Sequence, residues 1–113
     1  MRRGQNWVAS FRPWCGTEVG KARPCVIMQA DGLTMEAPGT VIVLPLTSQL
    51  WKDADALLME VAARGRLRKS SWVMIDKVQA LETSRFRDGP LGSLTDDELA
   101  TVEEKLRAVM GML

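Results

Sequence analysis

No histidine occurs anywhere in the chain, and that absence excludes more chemistry than any single motif adds. Without an imidazole there is no Ser-His-Asp or Cys-His nucleophile, no His-paired acid–base couple and almost no zinc catalysis. An enzyme built from these residues works with Arg, Lys, Asp, Glu, Thr, Ser or Cys. Cysteine is scarce as well: Cys15 and Cys25 form no CxxC pair and have no histidine to complete a metal set. Both read as free thiols, and a reduced, cytoplasmic protein with no metal and no cofactor is the simplest account. Long apolar runs are missing too, with nothing near about 18 consecutive residues, so no membrane-spanning segment is expected. The first residues, Met1-Arg-Arg-Gly-Gln-Asn-Trp-Val8, start basic but have neither an apolar stretch nor a cleavage site, so no signal peptide is expected.

What is present is ordinary for one globular domain. The 113 residues are 46% hydrophobic and 26% charged, enough to bury a core without staples, and residues 1–113 read as a single domain. Net charge is only +1, yet it is unevenly spread. Arg2, Arg3, Arg12, Lys21 and Arg23 face the lone acid Glu18 in the first 30 residues, and Arg64, Arg66, Arg68 and Lys69 form a second basic cluster. Asp96, Asp97, Glu98, Glu103 and Glu104 make the last segment acidic. Either one face meets a polyanion while the molecule stays near neutral, or the clusters are solvated loops pointing apart.

Short β-type runs dominate the pattern. Strands are expected at 6–11, at 23–29, at 40–47, at 57–61 and at 71–75, with residues 77–81 resuming pairing after a kink. Thr40-Val-Ile-Val-Leu-Pro-Leu-Thr47 is apolar on both faces and β-branched, which marks a central, buried strand. Pro45 lacks a ladder donor, so regular pairing is expected to end near it. Residues 32–39 read as a loop, 82–85 as at most one helical turn, and Asp88-Gly89-Pro90 as a break before a short connection at 91–94. Thr95-Asp-Asp-Glu98 is a capping box, and Leu99, Val102, Leu106, Val109, Met110 and Leu113 repeat at helical spacing. A helix over 96–112 follows, packed as a lid on the sheet. Strands, Gly/Pro loops and one C-terminal helix together imply a small, strongly bent β-barrel.

Two places invite chemistry. Gly16-Thr-Glu-Val-Gly20 is a turn-prone loop that leads through Lys21 to Arg23, Pro24 and the apolar run Cys25–Met28. Arg23 thus stands where a polar loop meets a rigid strand. Its planar fork suits phosphate, although on position alone a strand-edge charge with a solvated head is the simpler reading. Thr47, Ser48 and Gln49 put three polar side chains at the end of the buried strand.

The order of pieces resembles the MazF/PemK (Kid) toxins. Arg3-Gly4 with Trp7, then Pro13, Gly16-Thr17-Glu18, Gly20-Lys-Ala-Arg23-Pro24 and Thr40–Gln49 match that family's RG-x-x-W, P-x-x-GSE-x-x-G-x-RPVLV and TVIVAPLTS patterns. Leu67–Asp76, Ser84-Arg85-Phe86 and Leu91–Thr95 extend the likeness over essentially the whole chain. The resemblance implies an SH3-like barrel of the PemK/MazF/CcdB type, a homodimer, and metal-independent endoribonuclease cleavage of single-stranded RNA. It also implies control by a MazE-like antitoxin with an acidic tail, with DNA reached only through that antitoxin. The family's catalytic arginine and threonine fall on Arg23 and Thr47, and its acid on Glu18.

That chemistry needs no imidazole. RNA carries its own nucleophile, the 2′-hydroxyl, and attack on the adjacent phosphorus leaves a cyclic phosphate and a free 5′-hydroxyl. Arg23 clamps the phosphoryl oxygens or passes a proton to the leaving group, Thr47 hydrogen-bonds the same phosphate, and Glu18 orients Arg23 or assists the 2′-hydroxyl. Lys21, Ser48 and Gln49 extend the RNA contact. Trp14 and Trp51, in polar loops, either stack unpaired bases or pack on the barrel or its mate. Asp76 is an acid–base group, accepts from RNA bases, or is a structural carboxylate paired with Lys77 or Arg85. The family continues past this Asp as DQ-hydrophobic-R/K-T/S, whereas Lys77-Val78-Gln79-Ala80 stands here, a departure that bears on base preference more than on cleavage. The alternatives are a CcdB-like gyrase poison without enzymatic activity, and an inactive relative that binds RNA or antitoxin. The C-terminal Gly111-Met112-Leu113 lacks the aromatic that the gyrase poisons carry.

Overall fold

The computed structural model describes residues 1–11, 22–36, 39–49 and 57–112. Its centre is β3 (Thr40–Thr47), whose bounds are those the β-branched run predicts. Successive side chains of a strand alternate between faces, so β3 feeds two cores. Val41 and Val43 pack with Ala9, Cys25, Ile27 and Leu81 on one face, while Leu44 and Leu46 pack with Val26, Val61, Val73 and Val102 on the other. A fully buried aliphatic side chain contributes about 1.5–3 kcal/mol, which is why this run can be hydrophobic on both sides.

Around β3 the remaining strands are β1 (Gln5–Ser10), β2 (Ala22–Ile27), β4 (Leu58–Val61), β5 (Ser71–Met74), β6 (Gln79–Glu82) and β7 (Phe86–Ser93). All pairs are antiparallel, in the order β4-β5-β3-β2-β1-β7, with β6 also on β3. Pro45 ends the ladder with β2, as its missing N–H predicts, but β3 runs on to Thr47 by pairing with β5. A 3-10 turn, Ile75–Lys77, supplies the expected kink between β5 and β6.

Two expectations are corrected. Where a loop is expected over 32–39, residues up to 36 belong to a short helix, α1 (Asp31–Glu36). Buried Gln29 organises it, donating to Thr34 Oγ1 at 3.2 Å and accepting from the Ile42 amide at 3.3 Å, a long-range contact invisible to local pattern. The Asp88-Gly89-Pro90 break lies inside β7 as an irregularity, with Asp88 (φ 67°) and Gly89 (φ 70°) in left-handed backbone, while the β1 register shifts between Asn6 and Val8.

The last helix, α2 (Asp96–Val109), has the predicted capping box: Thr95 Oγ1 accepts from the Glu98 amide and Glu98 from the Thr95 amide. It stops three residues short of the expected end. Gly111 turns left-handed (φ 70°), and the Gly111 and Met112 amides close onto the carbonyls of Ala108 and Arg107, a Schellman stop.

Much of the basic charge is structural. Among the described residues the ladder does not close on itself, but the turn after β4 bridges to the opposite edge strand: the Arg66 amide donates to Leu91 O at 2.7 Å. The Arg66 guanidinium holds the carbonyls of Asp88 and Pro90, and Arg64 pairs bidentately with Glu98. Arg3 reaches Glu103 at 2.8 Å. The segregation of charge along the chain therefore serves, in part, to tie the ends of the sheet to α2.

Arg64 holds the Glu98 carboxyl below its usual range, chiefly by hydrogen bonding, with burial opposing. A carboxyl with a lowered folded pKa contributes stability that is complete at neutral pH and is lost as pH falls through the carboxylate range. Glu98→Gln is therefore expected to lower neutral-pH stability by about 1 kcal/mol and to flatten the acid side of a denaturation-midpoint profile.

Asn6 is a second stability lever. It is fully buried, and neither its amide nitrogen nor its oxygen has a hydrogen-bond partner among the described residues. An unpaired buried polar group costs about 1–3 kcal/mol. Asn6→Leu, of similar shape, is expected to raise the urea midpoint by an amount corresponding to about 1 kcal/mol or more.

Candidate functional site

Thr47 closes β3 and is half-buried, with its backbone held by the pair to Trp72 of β5. The Gln49 amide donates to Thr47 Oγ1 at 3.1 Å. That bond occupies one lone pair of the hydroxyl and sets its direction, leaving the hydroxyl proton to donate to an anion. Ser48 and Gln49 follow as exposed residues of a bend.

Arg23 is the second residue of β2, half-buried and paired across to Ala9 of β1. The register with β3 runs Ile27 opposite Val43, Val26 opposite Leu44 and Cys25 opposite Pro45. The ladder ends at that last pair; Arg23 lies two residues beyond it on β2 and Thr47 two residues beyond it on β3. By strand alternation Arg23 shares the face of Cys25 and Ile27, and Thr47 that of Val41 and Val43, so a guanidinium and a hydroxyl stand on one side of the sheet. Such a pair offers several donors to one phosphate group.

Pairing with β5 extends a row outward from Thr47. Trp72 is opposite Thr47, and Glu60 of β4 is opposite Trp72. Their neighbours Leu46 and Val73 are buried in the core beneath α2, so Thr47 and Trp72 project from the other face. Three strands thus present Thr47, Trp72 and Glu60 in line, with Arg23 of β2 on the same face. Cys25 stands on this face two residues from Arg23, but burial pushes its thiol up to about 12 against a partly compensating bond to the Trp7 carbonyl. At neutral pH it is a protonated, inert thiol.

Asp76 and Lys77 lie on the 3-10 turn beyond β5, past the end of the strand that carries Trp72. They face each other at 3.9 Å, both well exposed, and Arg85 instead donates to Ser10 O. Glu18, Lys21, Trp14 and Trp51 lie outside the described residues. Trp72 carries no signal in the sequence, since within the Ser71–Met74 strand it looks like one more core residue; only pairing puts it beside Thr47.

Residues 2–110 match the family model described as PemK-like, MazF-like toxin of type II toxin-antitoxin system. An endoribonuclease MazF from Staphylococcus saprophyticus is 29% identical over 99% of this chain and 92% of its own length. The crystal structure of MazF from Deinococcus radiodurans superposes with a TM-score of 0.80 at 26% identity, covering 99% of this chain and 97% of that one. A MazE–MazF crystal structure from the same organism gives 0.75 at 26% identity, covering 100% and 98%.

Proposed function

Because the chain belongs to the PemK-like, MazF-like toxins of type II toxin–antitoxin systems, we propose that it is an endoribonuclease whose Arg23 and Thr47 act on one phosphate of single-stranded RNA. What supports this reading is that Arg23 and Thr47 stand on the same face of the sheet, each two residues beyond the last β2–β3 pair, Cys25–Pro45. A rigid strand end holds a hydroxyl where a flexible loop would not.

In this mechanism the ribose 2′-hydroxyl attacks phosphorus in line, its proton leaves, and the 5′-oxygen departs as a hydroxyl. Negative charge grows on the phosphoryl oxygens. The Arg23 fork meets it with charge-assisted hydrogen bonds, and Thr47 donates its remaining proton to the same group. Arg23 is also placed to pass a proton to the leaving oxygen. Glu18 is assigned to orient Arg23 or to receive the 2′-proton, with Lys21, Ser48 and Gln49 along the RNA path. Asp76 and Lys77, on the turn that follows the strand paired with Thr47, are assigned to base preference. Demand for a 2′-hydroxyl makes RNA, not DNA, the substrate.

The partners proposed are a MazE-type antitoxin, as in the Deinococcus radiodurans complex, and a second copy of this chain. No helix among the described residues is long and apolar enough to cross a membrane. A cytoplasmic setting is proposed from the family match.

The test is a long single-stranded RNA incubated with the protein in EDTA, beside an Arg23→Ala variant. Discrete cuts with cyclic-phosphate ends, absent in the variant, are the expected result. Intact RNA with a folded protein that inhibits gyrase would overturn the reading.

A further inference from the structure

We propose that Trp72 is an RNA-contacting residue of this same site, its indole stacking on a base that flanks the phosphate held by Arg23 and Thr47. The inference rests on the ribonuclease reading and adds to it the element that receives a base. Thr47 and Trp72 are directly opposed in the β3–β5 ladder, and the alternation that buries Leu46 and Val73 turns both toward the face carrying Arg23. Trp72 remains partly exposed there, in contrast to Val73 and Ile75 beyond it, which are fully buried.

The chemistry along the row sorts the parts of a nucleotide. Arg23 and Thr47 supply donors for phosphate oxygens. One strand further on, Trp72 offers an uncharged ring face, and beyond it exposed Glu60 carries a carboxylate. Phosphate is repelled from that carboxylate, so the backbone is confined to the Arg23–Thr47 end. A base has no charge to be repelled, and every base has a face to stack. A base already stacked inside a duplex is not offered to the ring. Trp72 thereby accounts for a preference for single strands at the step of binding, before the 2′-hydroxyl is tested.

The rival explanation is that Trp72 only packs over its neighbours on the sheet. Leucine retains apolar bulk without a ring face, and phenylalanine retains a ring, so the pair separates the two roles. Steady-state cleavage of a single-stranded RNA carrying one mapped cut is measured for wild type, Trp72→Ala, Trp72→Leu and Trp72→Phe, with thermal melts as a folding control. Ala and Leu variants are expected to raise KM about tenfold or more with kcat changed less than about threefold, and Phe to stay within about threefold on both. Binding of a 2′-O-methyl RNA spanning the same cut should quench tryptophan fluorescence in wild type, and that component should be missing in Trp72→Phe.

A folded Trp72→Leu protein with unchanged KM would overturn the proposal, as would a loss confined to kcat. If Trp72→Ala does not fold, the Leu and Phe variants decide. Should wild type leave RNA intact, the ribonuclease reading fails. Should wild type cut and Arg23→Ala not, with the Trp72→Leu protein normal, only this inference fails.

Discussion

Arg23→Ala is expected to lower kcat for RNA cleavage by about 10²–10³-fold or more while leaving the melting temperature close to wild type. Removing one preorganised donor to a developing oxyanion costs about 3–4 kcal/mol in the transition state. Arg23 donates several hydrogen bonds from one planar group, so the loss should lie at the upper end of that range. Lysine keeps the charge but not the fork, and Arg23→Lys should recover only part of the rate. Thr47→Val, which keeps the shape and removes the hydroxyl, should cost about tenfold or more by the same logic. Single-turnover rates on one RNA with a mapped cut would rank the variants. Equal activity of Arg23→Ala and wild type would dissolve the assignment.

The second large effect concerns stability. Gly65→Ala is expected to destabilise the fold by about 3 kcal/mol, lowering the melting temperature by about 10 °C. Gly65 has φ +53°, and a β-carbon there would stand 2.5 Å from the Leu91 carbonyl oxygen. Left-handed backbone costs a residue with a β-carbon about 1–2 kcal/mol, and the clash is with backbone, which cannot swing aside. The added methyl would push apart the turn after β4 and strand β7, which the Arg66 amide joins by its bond to Leu91 O at 2.7 Å. Gly32→Ala is the control: nothing lies within 4 Å of that position, and alanine inside α1 should be neutral or slightly stabilising. Melts of the two variants side by side would separate crowding at position 65 from a general intolerance of glycine loss.

Local chemistry made several elements legible from the residues alone. β3 could be bounded to the residue because a β-branched run apolar on both faces has nowhere to go but the centre of a sheet. The start of α2 was equally plain, since Thr95 and Glu98 satisfy each other's orphan amides within one turn. Its end was not, because the apolar repeat continues through Leu113 while left-handed Gly111 decides the stop. α1 is illegible for a different reason: six residues are too few to show a period, and buried Gln29 holds them from outside.

Sequence by itself determined the family resemblance, most of the strands and the start of α2, and it singled out Arg23 and Thr47 as the candidate pair. It could do so because each rests on side-chain type and on spacing along the chain. Only the tertiary structure decided who stands beside whom. The pairing of β5 with β3 sets Trp72 next to Thr47, and the pairing of β4 with β5 sets Glu60 next to Trp72. The turn after β4, in sequence one of two basic clusters, is a clasp because Glu98 and the carbonyls of β7 lie within its reach. Strand register is a property of pairs distant in the chain, and a shift of one residue would turn Trp72 and Thr47 to the opposite face.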